Sequence, residues 1–314
     1  MRFMKHVFII NPRAGKKNST ARLMDQVDGL RRTHNLDCET VLTGRAGHAE
    51  ELARRIAQSG EVCRIYACGG DGTLNEVVNG AAGAPAVEVT VVPLGTGNDF
   101  LKNFGEDSAR FSDLEQLWNA PSHELDMIAC NGRLAMTIAC AGLDARVADD
   151  VHQYSKYPGV SGKNAYLASV GVNFFKKLSR RMIVTCGGQT TIGEYIMVCV
   201  CNGRYYGGGF MPVAEARLDD GMLDVMIVRK VSRATFLRLA PLYAKGEAWR
   251  FPDIARHVRT NHVHLQAREP FPVSLDGEIL HTKDAQIDLS AHKLRFFAPE
   301  GASCNRTAHK YVQG

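Results

Sequence analysis

The chain has 314 residues, 45% of them hydrophobic and 23% charged, with a formal net charge of +5. That balance describes a globular protein long enough for two domains, and it excludes a membrane-spanning helix, because no apolar run approaches the roughly 20 residues a bilayer requires. The charge is modest: it fits contact with an acidic membrane surface and fits plain solubility equally well, and no nucleic-acid partner is expected.

The chain opens on a strand-like run, His6 to Ile10, rather than on a secretory leader, so a cytoplasmic location is expected. A strand (Val7 to Ile10) leads through a polar loop (Asn11 to Asn18) to an amphipathic helix (Ser19 to Arg32). A second strand (Cys38 to Leu42), a loop (Thr43 to Gly47) and a helix (His48 to Gln58) follow. The apolar run Val62 to Cys68 ends in Gly69-Gly70-Asp71-Gly72-Thr73-Leu74-Asn75-Glu76, which opens a helix ending near Asn79-Gly80. A fourth strand (Val89 to Val92) is followed by Pro93-Leu94-Gly95-Thr96-Gly97-Asn98-Asp99-Phe100. Alternating apolar strands and helices predict a parallel, Rossmann-like α/β sheet covered on both faces.

The rhythm changes near His123. Asp126 to Cys130, Asn131-Gly132 and Leu134 to Cys140 read as a hairpin with a type I′ turn. A second hairpin is expected to join Arg181–Cys186 to Tyr195–Cys201, with one helical stretch, Asn164 to Lys177, between the two. Later β-like runs (Asp224 to Arg229, Thr260 to Ala267, Pro272 to Leu275, Ala285 to Leu289) complete a mostly antiparallel β-sandwich. The expected division is residues 1–125 for nucleotide binding, 126–290 for a β-rich substrate domain and 301–314 as a tail. Of the nine cysteines, Cys63, Cys68, Cys130, Cys140, Cys199 and Cys201 lie in apolar strand contexts, which predicts buried, reduced thiols. His262-Val263-His264 reads as strand alternation rather than as a metal pair.

Gly69, Gly70 and Gly72 remove side chains where a backbone must turn and present its amides. A glycine loop between a strand and a helix N-terminus is a phosphate site, because orphan N–H groups and the helix dipole converge there. The second loop, with Gly95, Thr96, Asn98 and Asp99, repeats the arrangement at a neighbouring strand end. Two such loops mark the crevice where open α/β sheets bind ligands.

The run GGDGTLNEVVNG followed by PLGTGNDF resembles the diacylglycerol kinase catalytic-domain family, in its bacterial soluble lipid kinase branch, related to sphingosine and ceramide kinases. The resemblance extends from Asn11-Pro12-Arg13-Ala14-Gly15-Lys16 to Asp276-Gly277-Glu278. It implies phosphoryl transfer from ATP, with Mg²⁺, to a lipid hydroxyl, on a fold like that of NAD kinases and phosphofructokinases, with Leu294 to Ala298 returning to complete the first domain (291–300). Gly69, Gly70, Gly72 and Thr73 are the expected phosphate cradle, Asn75 fixes the loop or the nucleotide, and Thr96 is the matching hydroxyl. Asn11 and Lys16 contribute from the first loop, with Lys16 the cation for the transferring phosphate. In similar kinases the position of Thr43 contacts ATP; a turn or capping role is the plain alternative. Asp71 and Asp99 are assigned to the nucleotide's Mg²⁺, against a loop-bracing reading. A second Mg²⁺ is implied at Asp220, Met222 and Arg217, although the arginine departs from the family pattern. Glu278 matches the family's general base and Asp276 would brace the turn or aid the metal, against a plain Asp-Gly hairpin with an exposed Glu.

Two stretches are candidates for lipid contact: the loop Tyr205 to Met211, and the helix 164–177 with Lys176, Lys177, Arg180 and Arg181 behind it, for which ordinary core packing is the competing reading. Peripheral membrane contact is expected; a homodimer is left open. Two other functions are weighed: a kinase of a soluble substrate, like NAD kinase, and a nucleotide-binding regulator without catalysis.

Overall fold

Apolar strand runs in the first third of the chain assemble into one sheet. The computed structural model describes residues 4–15, 18–95, 97–154, 169 and 172–304. Lys16, Thr96, half of the expected 164–177 helix (164–168, 170 and 171) and residues 305–314 lie outside them.

Strands β1 (Lys5–Ile10), β2 (Asp37–Leu42), β3 (Cys63–Gly69) and β4 (Val87–Pro93) run parallel. With β5 (Ser122–Leu125) and β15 (Leu294–Phe297) they form a six-stranded sheet in the order β2-β1-β3-β4-β15-β5. The central strand β3 is buried along its whole length, while the edge strand β2 alternates with solvent; that is why the first reads as an unbroken apolar run and the second does not. Helix α1 (Ser19–His34) buries Leu23, Val27 and Leu30, a helical spacing on one face. Helices α2 (His48–Ser59) and α3 (Asp71–Ala81) follow β2 and β3. A 3₁₀ segment (Phe100–Ser112) and the single turn α4 (Leu114–Leu117) come after β4.

The C-terminal strand β15 sits between β4 and β5 for two reasons. Phe296 completes an aromatic cluster with Phe100, Phe104 and Phe111, ring centroids 5.1, 5.8 and 6.0 Å away. Arg295 donates to Glu88 at 2.5 Å and to the Pro85 carbonyl at 2.8 Å. Glu88 in turn accepts from the buried Arg64 at 2.9 Å, whose other nitrogens donate to the carbonyls of Trp118 and Ala120.

The chain divides into two compact units, Met1–Met127 with Ala291–Gly314, and Ile128–Ser290. The second holds β6 (Ile128–Cys130), β7 (Arg133–Ala135), β8 (Ile138–Gly142), β9 (Arg180–Cys186), β10 (Gln189–Cys201), β11 (Leu223–Arg229), β12 (Ala255–Thr260), β13 (His262–Leu275) and β14 (Glu278–Leu289). All pair antiparallel, in the order β12-β11-β10-β8-β13-β14-β6-β7, and β9 folds over to pair with both β10 and β13. The result is the expected antiparallel sandwich. Strand β10 shows why its run is continuously apolar: Val198 and Val200 face the core between the strands, whereas Cys199 and Cys201 face a second core. That second core is roofed by α5 (Leu143–Tyr154) and α6 (Arg233–Tyr243) through Leu143, Val147, Leu239 and Tyr243.

Three expectations are corrected. Arg181–Cys186 does pair in a hairpin, but with Gln189–Glu194; Tyr195–Cys201 pairs instead with β11, and its Met197–Cys201 stretch also with β8. The hairpin closes on two residues, Gly187-Gly188, both with positive φ. Helices α5 and α6 were not anticipated, because Asp144, Asp149 and Asp150 in one and Pro241 in the other obscure their period. The Tyr205–Met211 loop is not a free apolar flap. Tyr206 bridges to Phe210 and its hydroxyl donates to the half-buried Asp144 and lies 3.1 Å from that of Tyr243. All nine cysteines are free and buried, and His262 and His264 each pair with an aspartate of β14, Asp288 at 2.5 Å and Asp284 at 2.7 Å.

Candidate active site

The parallel strands deliver their carboxyl ends to one edge, and the backbone laces those ends together. Asn11 N–H donates to the Cys68 carbonyl at 2.9 Å, Thr43 N–H to that of Ile10 at 2.8 Å, and Leu94 N–H to that of Gly69 at 3.0 Å. At this edge lies a pocket of about 380 Å³ lined by residues of three loops and two helix starts: Asn11, Arg13 and Ala14; Thr43 to Ala46 with Ala49; and Gly70, Gly72, Thr73 and Glu76.

Helix α3 begins directly after β3. Its cap residue, Gly70, is extended and carries no side chain to bond the first amides, and the one acid of the first turn, Asp71, is turned to the amides of Asp99 and Phe100, so the positive end of the helix is directed at the pocket without a side-chain cap. Gly69 makes this start sterically feasible: a Cβ there would lie 2.2 Å from Thr73 Oγ1. Thr73 accepts from Asn11 Nδ2 at 3.3 Å, joining the first and third loops. Gly15, with φ +85°, brings the first loop against Leu94, whose carbonyl oxygen would stand 2.2 Å from any Cβ.

Asp71 ties the two glycine loops together. Its oxygens accept from the amides of Asp99 at 2.9 Å and Phe100 at 3.1 Å. Burial raises its pKa, and those two amide bonds oppose the rise. Each carboxylate oxygen retains a further lone pair, so Asp71 fits a water-mediated role toward a nucleotide's Mg²⁺ as well as the bracing one. Asp99 is a different case: its Oδ1 is held by Lys102 one turn along, so a metal ion there would compete with that ammonium for the carboxylate. Asn75 is buried within α3, its side-chain oxygen and carbonyl both accept from Asn79, and it does not line the pocket, which favours the loop-fixing alternative over the nucleotide contact. Gly95 and Asn98 lie outside the lining too; Asn98 donates to the Gly95 carbonyl at 3.1 Å and closes its own loop.

The motif reading missed Arg13, Arg45 and Glu76. Arg13 and Arg45 line the pocket beside Asn11 and Thr43. Their signal was only that each lies two residues beyond a named polar residue. Glu76 accepts from Gly47 N–H at 2.9 Å and Ala49 N–H at 3.0 Å, so it satisfies the start of α2. Of the two helix starts at the pocket, only that of α3 is left for an outside anion.

In the second unit, β13 and β14 are joined by Asp276 and Gly277, both with positive φ, and Glu278 is exposed at the first position of β14. Asp276 accepts from the amides of Met136 at 2.5 Å, Thr137 at 3.0 Å and Ile138 at 2.9 Å, and its own N–H donates to the Ile138 carbonyl. Its carboxylate is engaged by backbone, so Asp276 is a positioning residue for the turn rather than a catalytic group.

The implied second Mg²⁺ site does not fit this chain. Asp220 accepts from Met222 N–H at 3.2 Å and holds the Arg259 guanidinium at 2.5 Å, while Arg217 pairs with Asp219. Arg259 also reaches the buried Asp224 at 3.5 Å, which His257 contacts at 2.7 Å. A divalent ion at Asp220, Met222 and Arg217 would have to displace that arginine. Among the described residues the only trio with ligand atoms close enough for a metal is Cys140, Asp144 and Cys199, at the second core of the second unit.

The family model for the diacylglycerol kinase catalytic domain matches residues 5–130, and that for the YegS C-terminal NAD kinase beta sandwich-like domain matches residues 137–298. A "Diacylglycerol kinase" of Bacillus subtilis is 30% identical over 281 residues, 88% of this chain and 90% of the relative. A Shewanella frigidimarina protein described as "Probable lipid kinase YegS-like" is 27% identical over 92% of this chain and 93% of its own length. The crystal structure of a diacylglycerol kinase from Bacillus anthracis shares the fold with a TM-score of 0.70 at 22% identity, covering 96% of this chain and all of that one. With both family models matched in sequence order and the fold shared throughout, the chain belongs to the kinase family that unites bacterial diacylglycerol kinases with YegS-like lipid kinases.

Proposed function

We propose that the protein transfers the terminal phosphate of ATP to the hydroxyl of a lipid, diacylglycerol or a close relative, while resting on a membrane surface from the cytoplasmic side. The observation that carries this is the uncapped start of α3 opening into a pocket that also receives Arg13 and Arg45. Backbone amides at Gly70 and Gly72 and the Thr73 hydroxyl bind phosphate oxygens, with Asn11, Thr43, Lys16 and Thr96 adding contacts around the same tail. Lys16 and the two arginines offset charge on the phosphates; Asp71 keeps the two loops in register and would hold a nucleotide's Mg²⁺ through water, the ion supplying charge neutralisation when bound while ATP supplies the phosphoryl group.

Glu278 orients the lipid hydroxyl and takes its proton late, at the side-chain carboxylate, because an alcohol is too weak an acid to ionise first. The test is incubation with ATP, Mg²⁺ and mixed lipid vesicles, with mass identification of the product. Glu278→Gln is expected to lower turnover by about 10²–10⁴-fold with nucleotide affinity near normal. Full activity in that variant removes Glu278 from the chemistry; phosphorylation of NAD instead of any lipid removes the lipid reading.

A further inference from the structure

Two neighbouring segments of the second unit hold large apolar side chains in water. Phe175 is 80% exposed and Leu237, on α6, is 59% exposed. Phe174 turns inward against Phe236, ring centroids 6.3 Å apart, and so fixes the segment that displays Phe175. Arg233, in the first turn of α6, binds the two together: its guanidinium donates to the carbonyls of Phe174 and Phe175 at 3.1 Å each and of Lys176 at 3.3 Å. Leu237 lies one turn along from Arg233. Helix α6 buries Leu239 and Tyr243 yet also leaves Ala234, Leu237 and Pro241 exposed. A helix that is apolar on both sides at a protein surface marks a face awaiting a partner.

The charge around this face is one-sided. Lys176, Lys177, Lys230, Arg233 and Arg238 are exposed around the apolar side chains, and Arg146 donates to the carbonyls of Lys177 and Leu178. Two carboxylates oppose these six cations, Asp150 at Lys176 and Glu194 shared by Lys177 and Lys230. An apolar centre with a cationic rim is complementary to a bilayer bearing anionic headgroups. It is a poor match for a second copy of itself, since a two-fold contact would bring cation against cation.

We infer that residues 172–177 and the exposed side of α6 form one bilayer-docking surface. Phe175 and Leu237 enter the acyl boundary, and the lysines and arginines lie at the level of anionic headgroups. This rests on the reading of the chain as a lipid kinase and names the partner through which it would reach its substrate.

The experiment is co-sedimentation of the full chain with vesicles of phosphatidylcholine alone or enriched in phosphatidylglycerol. The native protein is expected to bind the anionic vesicles preferentially, and less as salt rises. Phe175→Ser combined with Leu237→Ser should weaken partitioning about tenfold or more, and Arg238→Glu about fivefold or more. Both variants should keep the native thermal midpoint and full activity toward a short-chain, water-soluble diacylglycerol. Binding equal to the native protein in both variants overturns the surface. So does a native dimer that the serine substitutions dissociate while vesicle binding stays intact. Because the vesicle arm requires no catalysis, it decides the surface even if no lipid is phosphorylated.

Discussion

At the scale of single residues, the roles divide between groups that face the pocket and groups that hold backbone in place, and residue type does not reveal which is which. Asp71 and Asp276 both stand in Asp-Gly pairs and both accept from main-chain amides. Replacing Asp276 by Ala leaves the amides of 136–138 without their acceptor, which costs about 2–4 kcal/mol. The expected outcome is a lower urea midpoint together with reduced turnover and an unchanged KM for ATP. A variant that loses turnover but keeps native stability would instead make Asp276 part of the chemistry. The first glycine loop was legible, because Gly69 performs a task only a missing Cβ permits. Asn75 was not: an amide in a motif reads as a ligand until its helix turns it inward against Asn79.

At the scale of elements, the alternation of apolar strands and helices placed β1 to β4 and α1 to α3 to within about two residues, since β1, β3 and β4 are buried on both sides, the edge strand β2 on one, and each helix on one. Strand pairing in the second unit was less legible. Local pattern favours the nearest partner, and β10 is long enough to serve β9 with its first half and β8 and β11 with its second. The pair β11–β12 carries a consequence for metal dependence. In register, Asp224 faces Arg259 across the ladder, and the same arginine reaches Asp220, so an internal cation occupies the carboxylate that the family resemblance assigned to Mg²⁺. Without nucleotide, the thermal midpoint should be the same in Mg²⁺ as in a chelator, and Arg259→Ala should lower stability by about 1–3 kcal/mol. A midpoint that climbs several degrees with Mg²⁺ in the native protein would restore the ion at Asp220.

At the scale of the whole molecule, stability should depend on pH through His6. It is buried in β1, its Nδ1 lies 2.9 Å from the Tyr66 hydroxyl, and burial, aided by the charge of Arg64, lowers its pKa from 6.5 to about 4. The unfolded chain binds this proton more readily than the folded one. The contribution is therefore complete above pH 6.5 and is lost as the pH falls through that value toward 4. Urea midpoints measured across this window should fall for the native protein and fall less for His6→Asn; equal slopes in the two would remove His6 as the cause. The order of the first sheet has a different kind of consequence. Among the described residues strand β5 pairs with the sheet only through β15, and β15 follows the whole second unit in the chain. During synthesis the first unit must wait, with β4 and the phenylalanine cluster uncovered, while the sandwich is made. A nascent chain stalled before residue 294 therefore carries an open sheet edge at β4, available for pairing with another chain until β15 arrives.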